Sequence, residues 1–522
     1  MKTTSFAPAL RRILAVAALA ALAAPALRAD NGSKQVIDMN FVESLAEKLA
    51  EQKWKSPEER GSVPDSLKNI TYDQYRNIRF IPANRLWTSE ELPFRLSLFH
   101  LGYLFTMPVE VNEFTSQHSQ RIRFAPQLFD YTNSGVNGAN LPDDLNYAGM
   151  RLHYPLNRPD VFDELGVFQG ASYYRLLGRE QIYGASARGL ALNTGLDEGP
   201  EEFPVFTRFW VGKPGKEDKK LVIYALMDSP SVTGAYEFTI TPGTDTVADV
   251  RLTIFLRKEV ASLGIAPISS MFWFGENTTK PFDDFRPEVH DSDGVAIKLE
   301  NGEFLWRPIE NKPGRKRILA FTANNVRGFG LLQRDRDFRH FQDLEALYHR
   351  RPGIWIEPVG DWGEGSVKLV EIPTVDELMD NIVMFWEPRN KPAPRTPYRL
   401  AYRQRWTLEQ NPGLAGGYTI STRTGTHHWE KGSRFVKVDF VGDKLENLPP
   451  EAQLTGEVTV ADPRIEVMDV TVQKNYTDKA WRLSFRLKPK NPEDAPATVE
   501  TRCFIRRGDD VLTETWSSLI TL

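Results

Sequence analysis

The sequence predicts a mostly β protein in two domains. After residue 64 the chain consists of short β-type runs, such as 247–256 and 398–408, broken by glycine, proline, asparagine and aspartate. Residues 481–488 alternate large apolar with polar side chains, which is typical of a strand with one buried and one solvated face. The 522 residues are too many for one ordinary domain, and 41% hydrophobic residues are enough for a large core.

The first 29 residues predict a secretory signal peptide. Arg11 and Arg12 precede a short apolar run at 13–24, and small residues suited to cleavage follow. The run is too short to span a membrane comfortably, and no later segment reaches ~18 uninterrupted apolar residues. We therefore expect an exported protein that is not an integral membrane protein. The pattern leaves open whether export uses the general secretory or the twin-arginine route.

One helix and one hairpin are predicted from local patterns. Residues 40–55 repeat apolar side chains at helical spacing, with Asn40 placed as the N-cap. Asn301-Gly302 separates two β-type runs and predicts a hairpin. A type I′ turn is expected there, because Asn-Gly readily supplies the two positive φ angles that this turn requires.

A domain boundary is predicted at residues 411–417. The chain is rich in proline and charge at 387–397, returns to a strand at 398–408, and then breaks at a stretch rich in glycine. We therefore assign residues 30–410 to an N-terminal domain and 411–522 to a C-terminal domain. The length of the second part suits a β-sandwich.

Composition and charge exclude several classes of function. The net charge is −4 and no long basic run occurs outside the N-terminus, which argues against nucleic acid as a partner. The single cysteine, Cys503, lies in an alternating stretch and is expected to be a small core residue. Because the eight histidines are scattered and no His-Glu-x-x-His occurs, we expect no metal and no cofactor.

Two serine motifs begin like a nucleophile elbow and do not complete it. Gly170-Ala-Ser172 and Gly184-Ala-Ser186 lack the final glycine. The α/β alternation expected around such an elbow is also missing. We interpret both motifs as small residues that pack at strand ends.

Carboxylates remain as candidates for chemistry. Residues 371–386 hold Glu371, Asp376, Glu377 and Asp380 in an otherwise apolar segment. A carboxylate among large apolar side chains is costly to ionise, so its pKa tends to rise and it can serve as a general acid. Cleavage of a polysaccharide needs a second carboxyl group on the other side of the bond.

Several longer motifs resemble those of a known family, most densely between residues 165 and 390. They are Gly170-Ala-Ser-Tyr173, Tyr183-Gly-Ala-Ser-Ala-Arg-Gly189, Tyr224-Ala-Leu-Met-Asp-Ser-Pro230, His290-Asp-Ser-Asp-Gly294, Gly328-Phe-Gly-Leu-Leu-Gln-Arg334, Val370-Glu-Ile-Pro-Thr374 and Asp380-Asn-Ile-Val383. On these motifs the chain resembles the periplasmic glucan biosynthesis proteins G and D, from about residue 41 to the C-terminus.

The resemblance implies a fold, a location and an activity. It implies a large N-terminal β-sandwich of the mutarotase-like kind and a C-terminal immunoglobulin-like domain, in a periplasmic protein of osmoregulated glucan metabolism. It also implies an inverting glycoside hydrolase that acts on β-1,2-glucan without a cofactor. Asp380 matches the general acid of the family and Asp291 its general base, while Tyr348 and Glu377 match positions of its substrate cleft.

Two further features bear on the sugar site. Three tryptophans, namely Trp355, Trp362 and Trp386, are candidate platforms for sugar rings. Leu378 and Met379 stand where the resemblance leads us to expect small or polar residues just before the acid. They would make the surroundings of Asp380 drier or reshape the side where the acceptor binds.

Three functions stay open at this stage. The leading hypothesis is an inverting endo-acting β-1,2-glucanase. The second is a transglycosylase that uses a sugar hydroxyl in place of water and forms a cyclic glucan. The third is a non-catalytic glucan-binding or assembly protein that docks to an inner-membrane glucan synthase, and a homodimer is left open as well.

Overall fold

Strands carry most of the regular structure, so the mostly β prediction is confirmed. The computed structural model describes residues 36–522, except positions 57, 58, 60, 62, 279, 281, 313, 315 and 431. The predicted signal peptide lies outside the described residues. Among the residues that are described, no helix is long and apolar enough to cross a membrane.

The first large sheet has ten strands in the described part of the chain. They are β2 (Arg95–Phe99), β6 (Gly149–Tyr154), β7 (Asp163–Gln169), β8 (Tyr173–Leu176), β9 (Ser186–Arg188), β10 (Leu190–Leu192), β15 (Leu263–Ser270), β20 (Arg317–Ala323), β23 (Gly365–Glu371) and β24 (Ile382–Pro388). Their order is β2-β6-β7-β8-β9-β15-β24-β23-β20, with β10 paired to β15.

The second large sheet has fifteen strands within the same described ranges. They are β3 (Glu110–Phe114), β4 (Ser119–Arg121), β11 (Val205–Gly212), β12 (Leu221–Asp228), β13 (Val232–Thr241), β14 (Thr246–Leu256), β18 (Gly294–Lys298), β19 (Phe304–Pro308), β21 (Gly328–Leu332), β22 (Gly353–Val359), β25 (Tyr398–Thr407), β28 (Thr455–Val460), β31 (Thr498–Arg507), β32 (Asp510–Val511) and β33 (Thr515–Thr521). Their order is β28-β31-β33-β19-β18-β21-β22-β25-β14-β13-β12-β11-β3-β4, with β32 paired to β31.

The remaining elements are a four-stranded sheet, two short strand pairs and short helices. The four-stranded sheet has the order β26 (Tyr418–Thr426), β27 (Arg434–Val441), β30 (Ala480–Pro489), β29 (Ile465–Asn475). The short pairs are β1 (Arg79–Phe80) with β5 (Phe129–Asp130), and β16 (Phe272–Phe274) with β17 (Val289–His290). The helices are α1 (Met39–Glu51), Asp65–Lys68, Tyr72–Arg76, Phe338–Phe341 and Asp443–Glu446.

The two large sheets pack face to face around one core. Phe168 on β7 and Tyr174 on β8 meet Phe238 on β13 edge to face, with ring centres 5.4 Å and 5.3 Å apart. Such aromatic contacts across the layers are typical of a β-sandwich interior. The helix α1 covers the outer face of β12 to β14 and buries Val42 and Ala46.

The C-terminal strands pack around a second core, to which β19 and β22 of the second large sheet also contribute. Strand β33 runs parallel to β19, which places Trp516 opposite Trp306. Phe485 of the four-stranded sheet meets Trp516 at a ring distance of 6.4 Å, and Cys503 is buried in the same cluster as predicted. The division at 411 and the immunoglobulin-like assignment stay predictions, because the second large sheet runs through both parts.

Two local predictions are corrected in detail. The helix predicted at 40–55 exists as α1, but it ends at Glu51, and its cap is Asp38, whose carboxylate accepts the N–H of Phe41 at 2.8 Å. The hairpin is present as β18 and β19. Its turn is not type I′, because Gly302 has a φ of 88° while Asn301 is not in the positive-φ region.

Candidate functional site

Asp380 lies at the end of a loop that its neighbour Asn381 anchors. The loop joins β23 to β24, and Asn381 is buried. The Asn381 amide donates to the carbonyl oxygens of Phe272 at 3.0 Å and Ile372 at 2.9 Å, and its own oxygen accepts the N–H of Phe272 at 2.8 Å. Hydrogen bonds to β16 and to the start of the same loop fix the backbone beside Asp380, so the carboxylate has a defined position.

The Asp380 carboxylate faces strands β8 and β9. Ser186 donates its hydroxyl to Oδ2 at 3.0 Å, and a guanidinium nitrogen of Arg175 lies 3.6 Å from the same oxygen. The Asp380 side chain is 26% exposed. One oxygen is therefore held by the protein while the group keeps access to solvent and to a ligand.

Asp291 is the second carboxylate of the site and is buried. It follows β17, and its backbone N–H donates to the carbonyl of Met271 at 2.8 Å. Arg351 donates to Oδ1 at 2.5 Å. Burial raises the pKa of Asp291, the Arg351 guanidinium opposes that rise, and the negative charge of Asp380 adds to it. Asp291 therefore lies within electrostatic range of Asp380, although separate loops carry the two carboxylates.

Tyr348 contacts Glu377, which lies on the loop that carries Asp380. The Tyr348 hydroxyl donates to Oε2 of Glu377 at 2.5 Å, and the Arg351 guanidinium lies 4.2 Å from the centre of the buried Tyr348 ring. Burial raises the pKa of Tyr348, and the hydrogen bond to Glu377 raises it further, so the phenol stays a donor. Tyr348 thus connects the Glu377 loop with the guanidinium that holds Asp291.

Arg286 ties three loops together beside Glu377. Its side chain is 10% exposed and donates to Glu377 at 2.6 Å, to Asp343 at 3.3 Å and to Asp284 at 2.8 Å. Hydrogen bonds that Arg286 donates to Asp284 and Glu377 raise its pKa, although burial opposes this, so the cation is permanent. The loop of Glu377 is therefore fixed by charge-assisted hydrogen bonds.

Comparison with known proteins identifies the family. The family model described as "Periplasmic glucan biosynthesis protein, MdoG" matches residues 37–520. The chain belongs to this family. It is 43% identical over 493 residues to glucans biosynthesis protein G of Ralstonia nicotianae, a match that covers 92% of this chain and 95% of the relative. It is also 40% identical over 508 residues to the protein of that name from Bradyrhizobium diazoefficiens, which covers 97% and 98% of the two chains. The relative from Pseudomonas paraeruginosa is 42% identical over 487 residues, 91% of each chain.

The three tryptophans predicted as sugar platforms lie in the core of this family member. Trp355, Trp362 and Trp386 are 1%, 4% and 0% exposed. Trp355 stacks on Phe304 with ring centres 5.7 Å apart, and Trp362 lies 6.4 Å from Trp386 and donates to the carbonyl of Ala401 at 3.1 Å. Rings packed in this way leave no exposed face for a sugar, so we do not retain them as platforms.

The apolar pair before Asp380 is exposed and does not pack around it. Leu378 and Met379 are 85% and 63% exposed. Asp376 accepts the N–H of Leu378 at 2.9 Å, which closes a turn that keeps the pair at the surface. Contrary to expectation, the pair does not shield Asp380 from water.

Glu371 has a structural role at the end of β23. It is buried, accepts the N–H of Glu310 at 3.1 Å, and lies 2.7 Å from a guanidinium nitrogen of Arg317. Burial raises the pKa of Glu371, and the Arg317 charge opposes that rise. These contacts bind Glu371 to the neighbouring segment and not to Asp380.

Ser186, Arg175 and Arg351 are site residues that the sequence pattern alone does not reveal. Ser186 belongs to a motif interpreted above as a packing element, yet its hydroxyl reaches Asp380. The feature that could have revealed Ser186 is its position as a polar residue in a short buried strand. The three residues of β9 are all buried. Buried polar groups need partners, and here the partner is a carboxylate of the site.

A separate cluster has the ligand types that a metal ion uses. In the part of the chain that the structure describes, Glu288, Asp335 and His340 are the one such group, with ligand atoms within 4.8 Å of one another. They already have partners, because His340 Nδ1 lies 2.6 Å from Asp335 and Glu288 lies 2.9 Å from Nε2 of His290. The cluster contains neither of the two carboxylates described above.

Proposed function

We propose that this chain is a periplasmic enzyme of osmoregulated glucan synthesis that cleaves β-1,2-glucan with inversion. Asp380 would be the general acid and Asp291 the general base. Membership of the periplasmic glucan biosynthesis family supports the glucan role. The observation that carries the enzymatic part is one partly exposed carboxylate, Asp380, coupled electrostatically to one buried carboxylate, Asp291. Cleavage of a glycosidic bond uses such a pair.

The acid step follows from the contacts of Asp380. Protonated Asp380 gives its proton to the glycosidic oxygen as the bond to the anomeric carbon breaks. The carboxylate that forms is then stabilised by the Ser186 hydroxyl and the Arg175 guanidinium. These donors act on charge that develops during the reaction, which is where hydrogen bonding accelerates catalysis.

The base step follows from the burial of Asp291. A carboxylate with a raised pKa binds a proton more strongly than an exposed one, so it is a better base for water. The attacking water passes its proton to Asp291, directly or through a relay of ordered waters, as its oxygen bonds the anomeric carbon. Arg351 holds Oδ1 and keeps the ionised form accessible.

Glu377 and Tyr348 are proposed to bind the glucan. The Glu377 side chain is 35% exposed, and its carboxylate can accept hydrogen bonds from sugar hydroxyls. Tyr348 and Arg286 hold that carboxylate in place. A carboxylate fixed by two donors binds a ligand without first losing conformational freedom.

A second candidate is transglycosylation on the same glucan. It is favoured by the exposed apolar side chains of Val375, Leu378 and Met379 on the loop that carries Asp380. An apolar surface beside the site suits the apolar face of a sugar acceptor better than it suits water. In that reaction a sugar hydroxyl replaces the water that Asp291 activates.

Product masses test the proposal. Residues 30–522 are incubated with linear β-1,2-glucan, and hydrolysis is expected to add one water for each bond cut, whereas a cyclised product contains no added water. Asp380→Asn and Asp291→Asn should abolish product, while the control Asp376→Asn, which removes the same charge from the same loop, should not. Product formation by Asp380→Asn at the wild-type rate would refute the acid assignment. Glucan binding without any product would favour the non-catalytic binding function.

The two roles are separated by the leaving group. An activated aryl leaving group departs without a proton, so Asp380→Asn should recover activity on an aryl β-1,2-linked oligosaccharide. Asp291→Asn should stay inactive on it, because water activation is still required. The opposite pattern would exchange the two roles.

A further inference from the structure

A cavity of about 290 Å³ lies beside β8, outside the residues assigned to the site above. Its lining comes from three segments, at 104–109, 168–173 and 203–209, with contributions from 148 and 149. Aromatic and aliphatic side chains dominate, and no charged residue is among those described that line it. Leu104 and Phe203 are 75% and 46% exposed, so the cavity has an apolar mouth at the surface.

Strands β8 and β9 connect this cavity to Asp380. On β8, Arg175 pairs with Asp380, and Tyr173, two positions earlier, lines the cavity. On β9, Ser186 donates to Asp380, and Arg188, two positions later, stands opposite Tyr173. Alternate strand residues share a face, and two residues span about 7 Å. The cavity wall therefore begins a short step from the general acid along the same face of the sheet.

The electrostatics of Tyr173 agree with this placement. Burial raises the pKa of Tyr173, Arg188 opposes the rise, and the negative charge of Asp380 contributes to it. A carboxylate affects a phenol in this way only over a short distance. Tyr173 thus belongs both to the cavity wall and to the surroundings of Asp380.

One buried guanidinium holds the aromatic rings at the cavity. Arg188 is 5% exposed, and it donates to Glu201 at 2.6 Å and to the Ser269 hydroxyl at 3.0 Å. Its guanidinium carbon lies 4.8 Å from the ring centre of Tyr173 and 5.5 Å from that of Phe203. Cation–π contacts of this kind fix the orientation of both rings. The rings are a preformed surface and not loose side chains.

The turn before Tyr173 is held in an uncommon backbone conformation. Gly170 has a φ of 79° and Ala171 a φ of 46°. The left-handed region is unfavourable for a residue with a Cβ, so the surrounding contacts must impose it on Ala171. The Ala171 carbonyl accepts the N–H of Phe206 at 3.1 Å, and the Gly170 carbonyl accepts the N–H of Tyr173 at 2.9 Å. The turn therefore sets the position of Tyr173 against Phe206 across the cavity.

We infer that this cavity is a sugar subsite, which binds a β-linked glucose residue of the same glucan chain whose cleaved bond lies at Asp380. The rings of Tyr173 and Phe203 receive the apolar face of the sugar. Gln169 and Thr106 supply polar groups for its hydroxyls. A neutral lining suits a neutral polyhydroxylated ligand better than a charged one. The inference rests on the proposed function, because it assigns the ligand of that same site.

Chain-length dependence tests the subsite. In Phe203→Ala the kcat/KM for long β-1,2-glucans should fall about tenfold, through KM, while the kcat/KM for oligosaccharides too short to reach the cavity stays unchanged. Phe203→Tyr keeps the ring and should restore the wild-type dependence. Phe435→Ala is the control, because this phenylalanine on β27 is also partly exposed, at 36%, and lies on another sheet.

A binding measurement separates failure of the subsite from failure of the proposed function. Calorimetry with Asp380→Asn and the double variant Asp380→Asn/Phe203→Ala measures affinity for long and short β-1,2-glucans without turnover. A loss of affinity confined to long chains supports the subsite even if the wild-type chain forms no product. If Phe203→Ala matches the wild type at every chain length in both rate and affinity, the subsite is refuted while the proposed cleavage at Asp380 stands.

Discussion

The hydroxyl of Ser186 donates a hydrogen bond to Oδ2 of Asp380 at 3.0 Å and so joins the start of β9 to the loop before β24. The donor meets a carboxylate that carries its full charge only after it has given up a proton. A hydrogen bond to the ionised form is therefore stronger in the later stages of proton transfer than before it. Ser186 is a positioning residue for the proposed acid.

Ser186→Ala should lower kcat about fivefold with KM little changed, because about 1 kcal/mol of hydrogen bonding to the developing charge is lost. Steady-state kinetics on linear β-1,2-glucan measure both constants. Ser229→Ala is the matched control, since Ser229 is also buried and its hydroxyl donates to the carbonyl of Val232 at 3.2 Å, away from the site. A variant at 186 with wild-type kcat would show that the bond has only a structural role.

The contacts of Ser186 and Asp291 illustrate what the sequence could not supply. The motif around Ser186 lacks the final glycine of a nucleophile elbow, so the sequence alone predicts that this serine packs at a strand end. What matters is which carboxylate the hydroxyl meets, and that depends on the order β9-β15-β24 in the first sheet. The proximity of Asp380 and Asp291 depends likewise on two loops from different sheets. The resemblance to a known family predicted both Asp380 and Asp291, whereas the local sequence pattern pointed only to Asp380.

Burial was predictable where it followed strand alternation and not elsewhere. Trp481, Leu483 and Phe485 alternate with polar residues and are buried as expected. Trp355 lies on β22, which is buried on both faces over its first residues, so alternation could not separate a core ring from a sugar platform. Leu378 is apolar in an apolar segment and nevertheless exposed, because a side-chain hydrogen bond closes a turn there. Such turns depend on single side chains and leave no periodic signal.

Asp291→Asn should abolish activity and increase stability at neutral pH relative to the wild type. The pKa of Asp291 is raised in the folded chain, so folding favours the protonated form, and its contribution to stability is lost as pH rises through the folded pKa. Asparagine does not ionise, so the stability of the variant does not decline in this way as pH rises. Thermal unfolding at pH 3.5 and pH 7 compares the stability of the two proteins. The variant should be more stable than the wild type only at the higher pH.

Asp376→Asn controls for removal of one negative charge from the neighbourhood. It should keep activity, and its stability at each pH gives the effect of removing one charge from this loop. An Asp291→Asn variant that is less stable than the wild type at pH 7 would show that the pairing with Arg351 outweighs the burial of the carboxylate.

Glu276 should make the contact between its own loop and strand β26 of the four-stranded sheet dependent on pH. Its carboxylate accepts the N–H of Thr422 at 2.6 Å and the hydroxyl of Ser421 at 3.1 Å, with an Arg423 nitrogen 2.9 Å away. Burial outweighs these partners and raises the pKa of Glu276 from 4.5 to about 7. Its contribution to stability is complete below pH 4.5 and is lost as pH rises to about 7.

Glu276→Gln should remove the decline in stability that the ionisation of Glu276 causes as pH rises. Urea unfolding at pH 4.5 and pH 8 is expected to show the variant gaining on the wild type at the higher pH. Glu466→Gln on the exposed face of β29 accounts for the loss of one surface charge. An equal stability difference between Glu276→Gln and the wild type at both pH values would contradict the raised pKa.

Arg286 should be needed both for stability and for glucan affinity. It is a buried cation between three carboxylates, and Arg286→Met leaves Asp284, Asp343 and Glu377 without it. Breaking a buried ion pair from one side costs about 3 kcal/mol, and the freed Glu377 should also raise KM for β-1,2-glucan. Urea unfolding and steady-state kinetics measure the two effects.

Arg339→Met, which breaks an exposed ion pair with Asp337, is the control and should cost less than about 1 kcal/mol. If Arg286→Met lost no more stability than Arg339→Met, the three loops would be held together by packing. The proposed role of the Arg286 cation in fixing Glu377 would then fail.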